Sequence, residues 1–353
     1  MTCSRERTQT FVLKHFLPLG FLFVLVFALL WPAPGKALGK EKVDGFRVVQ
    51  TINVIVIFII SGLTLKTDDI KKAVSKDGRV GYGYGVVTIL VTTASFGFLA
   101  VEIPFEVKEF AYGLAVFCIV PTTLSSGVTL VSQGGGNGAL ALLLTVTTNL
   151  LGVITTPFFV EAVMKAGGAS IDAVELLIKL VISVLIPLLV GKLVREFGPG
   201  VKGWVTRWKK QLSFTNSTML IMVVWQTLSR AQDDITSIPF EQILGVIASG
   251  IALHIIFLTI NWPICNLILK LERREMKAVV IMASQKTLPV SVTVIAYLKG
   301  LGAEGLMTIP CIVSHMSQLF IDSYISSKWG EETEEEELSL SSLSKDTNVE
   351  QQV

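Results

Sequence analysis

Phe11 to Trp31 is an apolar run of about 20 residues, the length at which a helix crosses the ~30 Å hydrocarbon core of a bilayer. Nine more runs follow, at roughly 47–65, 80–101, 110–132, 139–164, 175–194, 213–230, 240–269, 278–298 and 306–327. The segments between them are short. In lipid every backbone N–H and C=O needs a partner within the protein, so runs of this length are helices. The sequence therefore predicts an all-α polytopic membrane protein: an N-terminus over 1–10, a ten-helix domain over 11–327 and a tail over 328–353. Only 16% of the 353 residues are charged, against about 25% in soluble domains, which excludes a soluble fold.

The first run is longer than the apolar stretch of a signal peptide and reads as a spanning helix, although "WPAPGKALG" loosely offers a cleavage site. Lys and Arg are shared unevenly between the loops. Segments 66–79 and 195–212 hold five each and 270–277 holds four, whereas 102–109, 165–174, 231–239 and 299–305 hold one or none. The positive-inside rule then puts both termini in the cytoplasm. The 32–46 segment, with Lys36, Lys40 and Lys42, is the exception. The acidic, serine-rich tail Glu331–Val353 has the composition of a disordered segment. A plasma membrane or an endomembrane fits the short N-terminus; a plastid envelope would call for a targeting segment that is not evident.

Two pairs of prolines lie at nearly one offset: Pro18 and Pro187 are 169 residues apart, Pro121 and Pro289 are 168 apart. Each pair holds matching places in its spans. This predicts two halves of five spans, about 11–164 and 175–327. Five is odd, so the second half enters the membrane inverted, as in secondary transporters whose broken helices mark the substrate site.

Span four, "CIVPTTLSSGVTLVS", crowds Thr122, Thr123, Ser125, Ser126, Gly127 and Thr129 around Pro121. Hydroxyls and carbonyls freed by a proline are ligands for hard cations and hydrogen-bond partners. Span nine sets Ser284, Gln285, Lys286 and Thr287 before Pro289. A lysine at the centre of a membrane helix costs ~2.5–3.5 kcal/mol on insertion scales, and helix packing has no need of one. In span ten, His315, Gln318 and Asp322 share one helical face. They line a cavity, pair with Lys286 or relay protons, unless Asp322 lies at the cytoplasmic surface and His315 is simply an interior hydrogen-bonded residue. His254 reads as an interior hydrogen-bonded histidine.

Other chemistries are excluded or unsupported. The cysteines are scattered singly (Cys3, Cys118, Cys265, Cys311), without zinc or disulfide spacing. "GRVGYGYG" and "SQGGGNG" lack the Lys-Ser/Thr of a phosphate loop and read as a helix start and a turn. No basic, aromatic-interleaved patch marks nucleic-acid binding, and no hydrolase motif is present.

The segments "ISGLTLKTDDI", "PTTLSSGVTLVSQGGGN", "TNLLGVITTPFF", "LIPLLVGKLVRE", "SQKTLPVSV" and "IPCIVSHMSQLFIDS" resemble the bile acid:sodium symporter family over about residues 10–327, in wording closest to its plant-type branch. The resemblance implies ten helices, a four-helix core whose discontinuous helices 4 and 9 cross, and a six-helix panel beside it. It implies symport of a small organic anion, bile acid-like or 2-oxo acid-like, with sodium, and no other cofactor. Family sodium ligands fall on Ser126, Thr145 and Gln285. Others fall on Gly127, Ala141 and Ile281, where ligating side chains are lost, and a span-three glutamine has no counterpart in 80–101. In that half-dismantled site Lys286 has three readings: an ammonium in place of sodium or a proton carrier, an anchor for the anion, or a structural partner. The alternatives to sodium symport are therefore a proton-coupled or uncoupled carrier and a non-transporting membrane regulator, for example of calcium handling.

Overall fold

The computed structural model describes residues 16–43, 46–65, 79–124, 126–298, 300–301 and 304–350. The chain is helical apart from one two-residue hairpin, Lys42–Val43 with Phe46–Arg47. In order come α1 (Phe16–Leu30), α2 (Ala33–Leu38), α3 (Val48–Thr64), α4 (Arg79–Ala100), α5 (Lys108–Ile119), α6 (Ser126–Gln133), α7 (Gly138–Ala166) and α8 (Ala173–Phe197). Then follow α9 (Val201–Arg207), α10 (Lys209–Arg230), α11 (Gln232–Thr236), α12 (Phe240–Ile268), α13 (Arg273–Ser284), α14 (Leu288–Tyr297) and α15 (Glu304–Glu350).

Among the described residues, α4, α7, α8, α12 and the run Arg273–Tyr297 are long and apolar enough to cross a membrane. The protein is thus a helical integral membrane protein. The remaining expected runs fall on shorter or more polar helices. The run over 110–132 is divided into α5 and α6. Three segments expected as loops carry structure: α2 and the hairpin lie in 32–46, α9 lies in 195–212 and α11 in 231–239. The backbone of α15 continues as far as Glu350; glutamate and leucine are good helix formers, and neither proline nor glycine occurs between Glu331 and Glu350.

Local chemistry sets the helix ends. The Asn137 side chain accepts a 3.0 Å hydrogen bond from the Leu140 amide and opens α7. Asp172 accepts from the amides of Val174 and Glu175 to open α8. Two helices bulge. In α4, residues Thr88–Thr92 form a π turn, and the Thr93 hydroxyl donates to the carbonyls of Thr88 and Ile89 at 2.8 and 3.1 Å. In α8 the π turn Val181–Leu185 precedes Pro187, which has no N–H to give.

Close packing needs glycine where α3 crosses α8. A Cβ at Gly62 would lie 2.1 Å from the Leu188 carbonyl, and one at Gly191 would lie 2.2 Å from the Ile59 carbonyl. The buried apolar residues form two clusters. One gathers α5, α14 and the start of α15 with α1, α3, α8 and α10. The other gathers α4, α6, α13 and the first turns of α7. The gaps between α5 and α6, and between α13 and α14, fall between the two.

Candidate transport site

Both helix breaks follow from sequence. A proline disfavours helical backbone in the residue before it, and Val120, ahead of Pro121, is extended, with ψ 154°. Gln285 and Thr287 are extended as well, and Pro289 opens α14 as its second residue. The two unwound segments meet. The Thr287 amide donates to the Pro121 carbonyl at 3.0 Å, and the Thr122 hydroxyl donates to the Met282 carbonyl at 2.6 Å. The Thr123 hydroxyl donates to Gln285 Oε1 at 2.8 Å and accepts from the Gly127 amide. From α7, Asn149 Nδ2 donates to the carbonyls of Thr122 and Thr145. Thr145 Oγ1 donates to the Ala141 carbonyl at 2.9 Å and approaches that of Thr123.

Lys286 is fully buried. Its ammonium donates to the Val120 carbonyl at 2.9 Å and to the Ile89 carbonyl, inside the π turn, at 3.0 Å. Among the described residues it forms no ion pair. Two backbone carbonyls, one at the helix break and one in the π turn, hold the cation where a carboxylate would be expected. Its own peptide unit is gripped by Gln318: the Lys286 amide donates to Oε1 at 3.0 Å, and Nε2 donates to the Lys286 carbonyl at 2.7 Å and to His315 Nδ1 at 2.9 Å.

Asp322 and His254, both discounted from sequence, stand at the same crossing. Asp322 is fully buried rather than at a surface. Its Oδ2 accepts from Gln285 Nε2 at 2.6 Å and its Oδ1 lies 2.9 Å from His254 Nε2. The other ring nitrogen of His254 is 3.2 Å from the Ser284 carbonyl. Ser284 Oγ accepts from Asn261, which in turn accepts from the Tyr84 hydroxyl. Sequence reasoning missed Asn261 and Asn149, although an asparagine inside an apolar run is itself a signal. Asp322 was signalled by its place seven residues after His315 on an apolar helix.

The residues expected at the site are thus gathered in one place: Thr122, Thr123, Thr145, Ser284, Gln285, Lys286, Thr287, His315 and Gln318 are all buried around the crossing. Ser126 begins α6 half-buried. Ser125 lies outside the described residues. Gly127 offers no ligand, and a Cβ there would lie 2.6 Å from Thr123 Oγ1 and 2.9 Å from Gln285 Oε1. Asp322 and Lys286 do not pair; each has its own partners.

Crossing, unwound helices with a buried lysine between them are the arrangement of a carrier rather than of a packed bundle. The sequence profile of the SBF-like CPA transporter family matches residues 15–331. The chain belongs to that family. It is 36% identical over 328 residues to the "probable sodium/metabolite cotransporter BASS4, chloroplastic" of Arabidopsis thaliana, covering 91% of this chain and 73% of that one. A relative of the same description in Oryza sativa subsp. japonica is 36% identical over 330 residues, covering 90% of this chain and 76% of that one. The "sodium/bile acid cotransporter 7" of Xenopus tropicalis is 23% identical over 320 residues, covering 88% and 90%. The higher identity to the plant relatives agrees with the wording of the motifs. As a member of this family the protein is a transporter and not an enzyme.

Proposed function

We propose that the protein is a secondary active transporter that moves a small organic anion by alternating access. Sodium coupling is what the names of its relatives suggest. In this reading the chain crosses the membrane ten times as two inverted five-helix repeats, with both termini cytoplasmic, in a plasma membrane or endomembrane or, as in the plant relatives, a plastid.

The observation that carries the reading is the Lys286 ammonium between the carbonyls of Val120 and Ile89. Unwound carbonyls at a helix crossing are the groups that coordinate a driving cation in such carriers. Here a tethered cation uses them. Gln285, Thr145 and Ser126 supply only neutral oxygens for a free sodium ion, and Gln285 already engages both Thr123 and Asp322. This supports Lys286 as a surrogate for sodium over Lys286 as an anchor for substrate. A specific observation favours proton coupling as the second reading: His254 sits between the Asp322 carboxylate and the Ser284 carbonyl, a place where a proton can be carried within a bundle.

Uptake of radiolabelled pyruvate and taurocholate into proteoliposomes tests this. Transport that needs a sodium gradient and survives Lys286→Met with the same sodium dependence would overturn the surrogate role. Transport driven by a pH gradient and lost in His254→Gln would establish the second reading. Absence of uptake of either anion under any gradient would remove the organic-anion assignment.

A further inference from the structure

Away from the crossing, at the end of the molecule where the 32–46, 231–239 and 299–305 segments lie, two arginines share one carboxylate. Arg47, at the start of α3, and Arg230, at the end of α10, both donate to Oε2 of Glu304, the first residue of α15. Arg230 also donates to Gln50 Oε1 at 3.1 Å. The cluster therefore carries one positive charge in excess. It is also rich in unused donors. Arg47 Nε and Arg230 Nη1 are buried without partners, and so is Nε2 of Gln50, a side chain 2% exposed. A buried donor left unpaired costs about 1–3 kcal/mol, and more when charged.

Arg47 and Gln50 line a small cavity with Thr51, Val54, Thr293, Ala296 and Tyr297. It lies between α3 and α14, and α14 starts one residue after Thr287 of the crossing. The cavity has room for about one water molecule. Glu304 leaves the forks half used, since one of its oxygens serves both arginines. A guanidinium matches a carboxylate through two parallel N–H donors, and the edge of Arg47 that includes Nε is free for that purpose.

The geometry points to a carboxylate-binding site formed by Arg47, Arg230 and Gln50, with Glu304 as its tethered plug. The ligand is the carboxylate of an organic anion. Glu304 holds the arginines while the face is closed, and a substrate carboxylate displaces it when α3 and α14 part. Lys40 and Lys42 are exposed on the same segment as Arg47, with the exposed Glu41 between them.

The proposal rests on the organic-anion reading, but the two fail separately. The purified full-length protein and its Glu304→Gln variant are titrated with sodium pyruvate against sodium chloride, and thermal unfolding is followed. Pyruvate should stabilise both, with a midpoint about tenfold lower in the variant because the internal competitor is gone. Equal midpoints, equal stabilisation by chloride, or none by pyruvate would overturn the site. Where the variant does not fold, the wild type is treated with phenylglyoxal. Pyruvate but not chloride should slow modification of Arg47 and Arg230 severalfold in peptide mass spectra, and unprotected arginines overturn the site. If only the site is wrong, pyruvate uptake persists with an unchanged KM in Glu304→Gln. If only the transport reading is wrong, the carboxylate still binds and neither protein takes it up.

Discussion

Gln285 Nε2 donates to Asp322 Oδ2 at 2.6 Å, joining the unwound segment before α14 to a carboxylate 37 residues later in α15. The same carboxylate contacts His254. The crossing therefore holds a buried anion and a buried cation, Lys286, that do not touch. Each is satisfied by polar neighbours of its own, as buried charge requires.

Asp322→Asn should lower stability by about 1–3 kcal/mol, the cost of spoiling buried, charge-assisted hydrogen bonds. Thermal unfolding in detergent reads this. The contact itself is measured by a cycle with Gln285→Leu, where groups that touch should couple by at least about 0.5 kcal/mol. Additive effects would mean that Gln285 and Asp322 act independently.

Lys286→Met removes the tethered cation and takes its ammonium donor from the Val120 and Ile89 carbonyls. If the ammonium stands in for sodium, the variant should become stabilised by sodium over potassium chloride, and the wild type should not. A ligand at 100 times its Kd stabilises by about 2.7 kcal/mol. Sodium stabilisation of the wild type equal to that of the variant would defeat the surrogate role.

Gly62→Ala should be strongly destabilising, since the added methyl would lie 2.1 Å from the Leu188 backbone oxygen and overpacking costs about 1–3 kcal/mol or more. Gly83 is the control. Nothing lies within 4 Å of a Cβ there, and alanine in a helix interior is favoured over glycine by about 0.5–1 kcal/mol. Gly83→Ala should therefore leave the melting temperature unchanged or raise it, and a fall in both variants would refute the packing argument.

Lys277 is nearly fully buried where α13 meets α15. It donates to the Gly134 carbonyl at 2.9 Å, to Thr333 Oγ1 at 2.9 Å and to the Trp329 carbonyl at 3.2 Å. Lys277→Met should cost about 1–3 kcal/mol by taking the lysine donor from the buried Gly134 carbonyl. Limited proteolysis offers a local readout. The 329–333 turn of α15 should become cleavable in the variant, and equal protection would show that the lysine does not hold it down.

Much of the site was legible in the sequence because its signals are costly ones. A proline, a lysine and a glutamine inside an apolar run each need a reason, and all three lie at the break. The pairing of Pro121 with Pro289 located both unwound segments. Charge partnership was not legible. Asp322 and Lys286 share a region and opposite signs, yet the lysine's partners are backbone carbonyls, which one sequence cannot mark. The π turn that presents the Ile89 carbonyl leaves no trace in hydropathy. The Arg47–Glu304–Arg230 cluster was missed because its members stand at helix ends, where charges are ordinary, and are distant in the chain.

The cage around Lys286 has an order built into it. Ile89 and Val120 precede the lysine along the chain, and protein synthesis runs from the N-terminus. When α13 and α14 leave the ribosome, the segments carrying the two carbonyls that receive the ammonium have already been made. The residue least suited to lipid thus comes after its acceptors, and only its peptide unit waits for Gln318, 32 residues later. The position of the lysine in the second half of the chain is itself part of how the chain can be inserted.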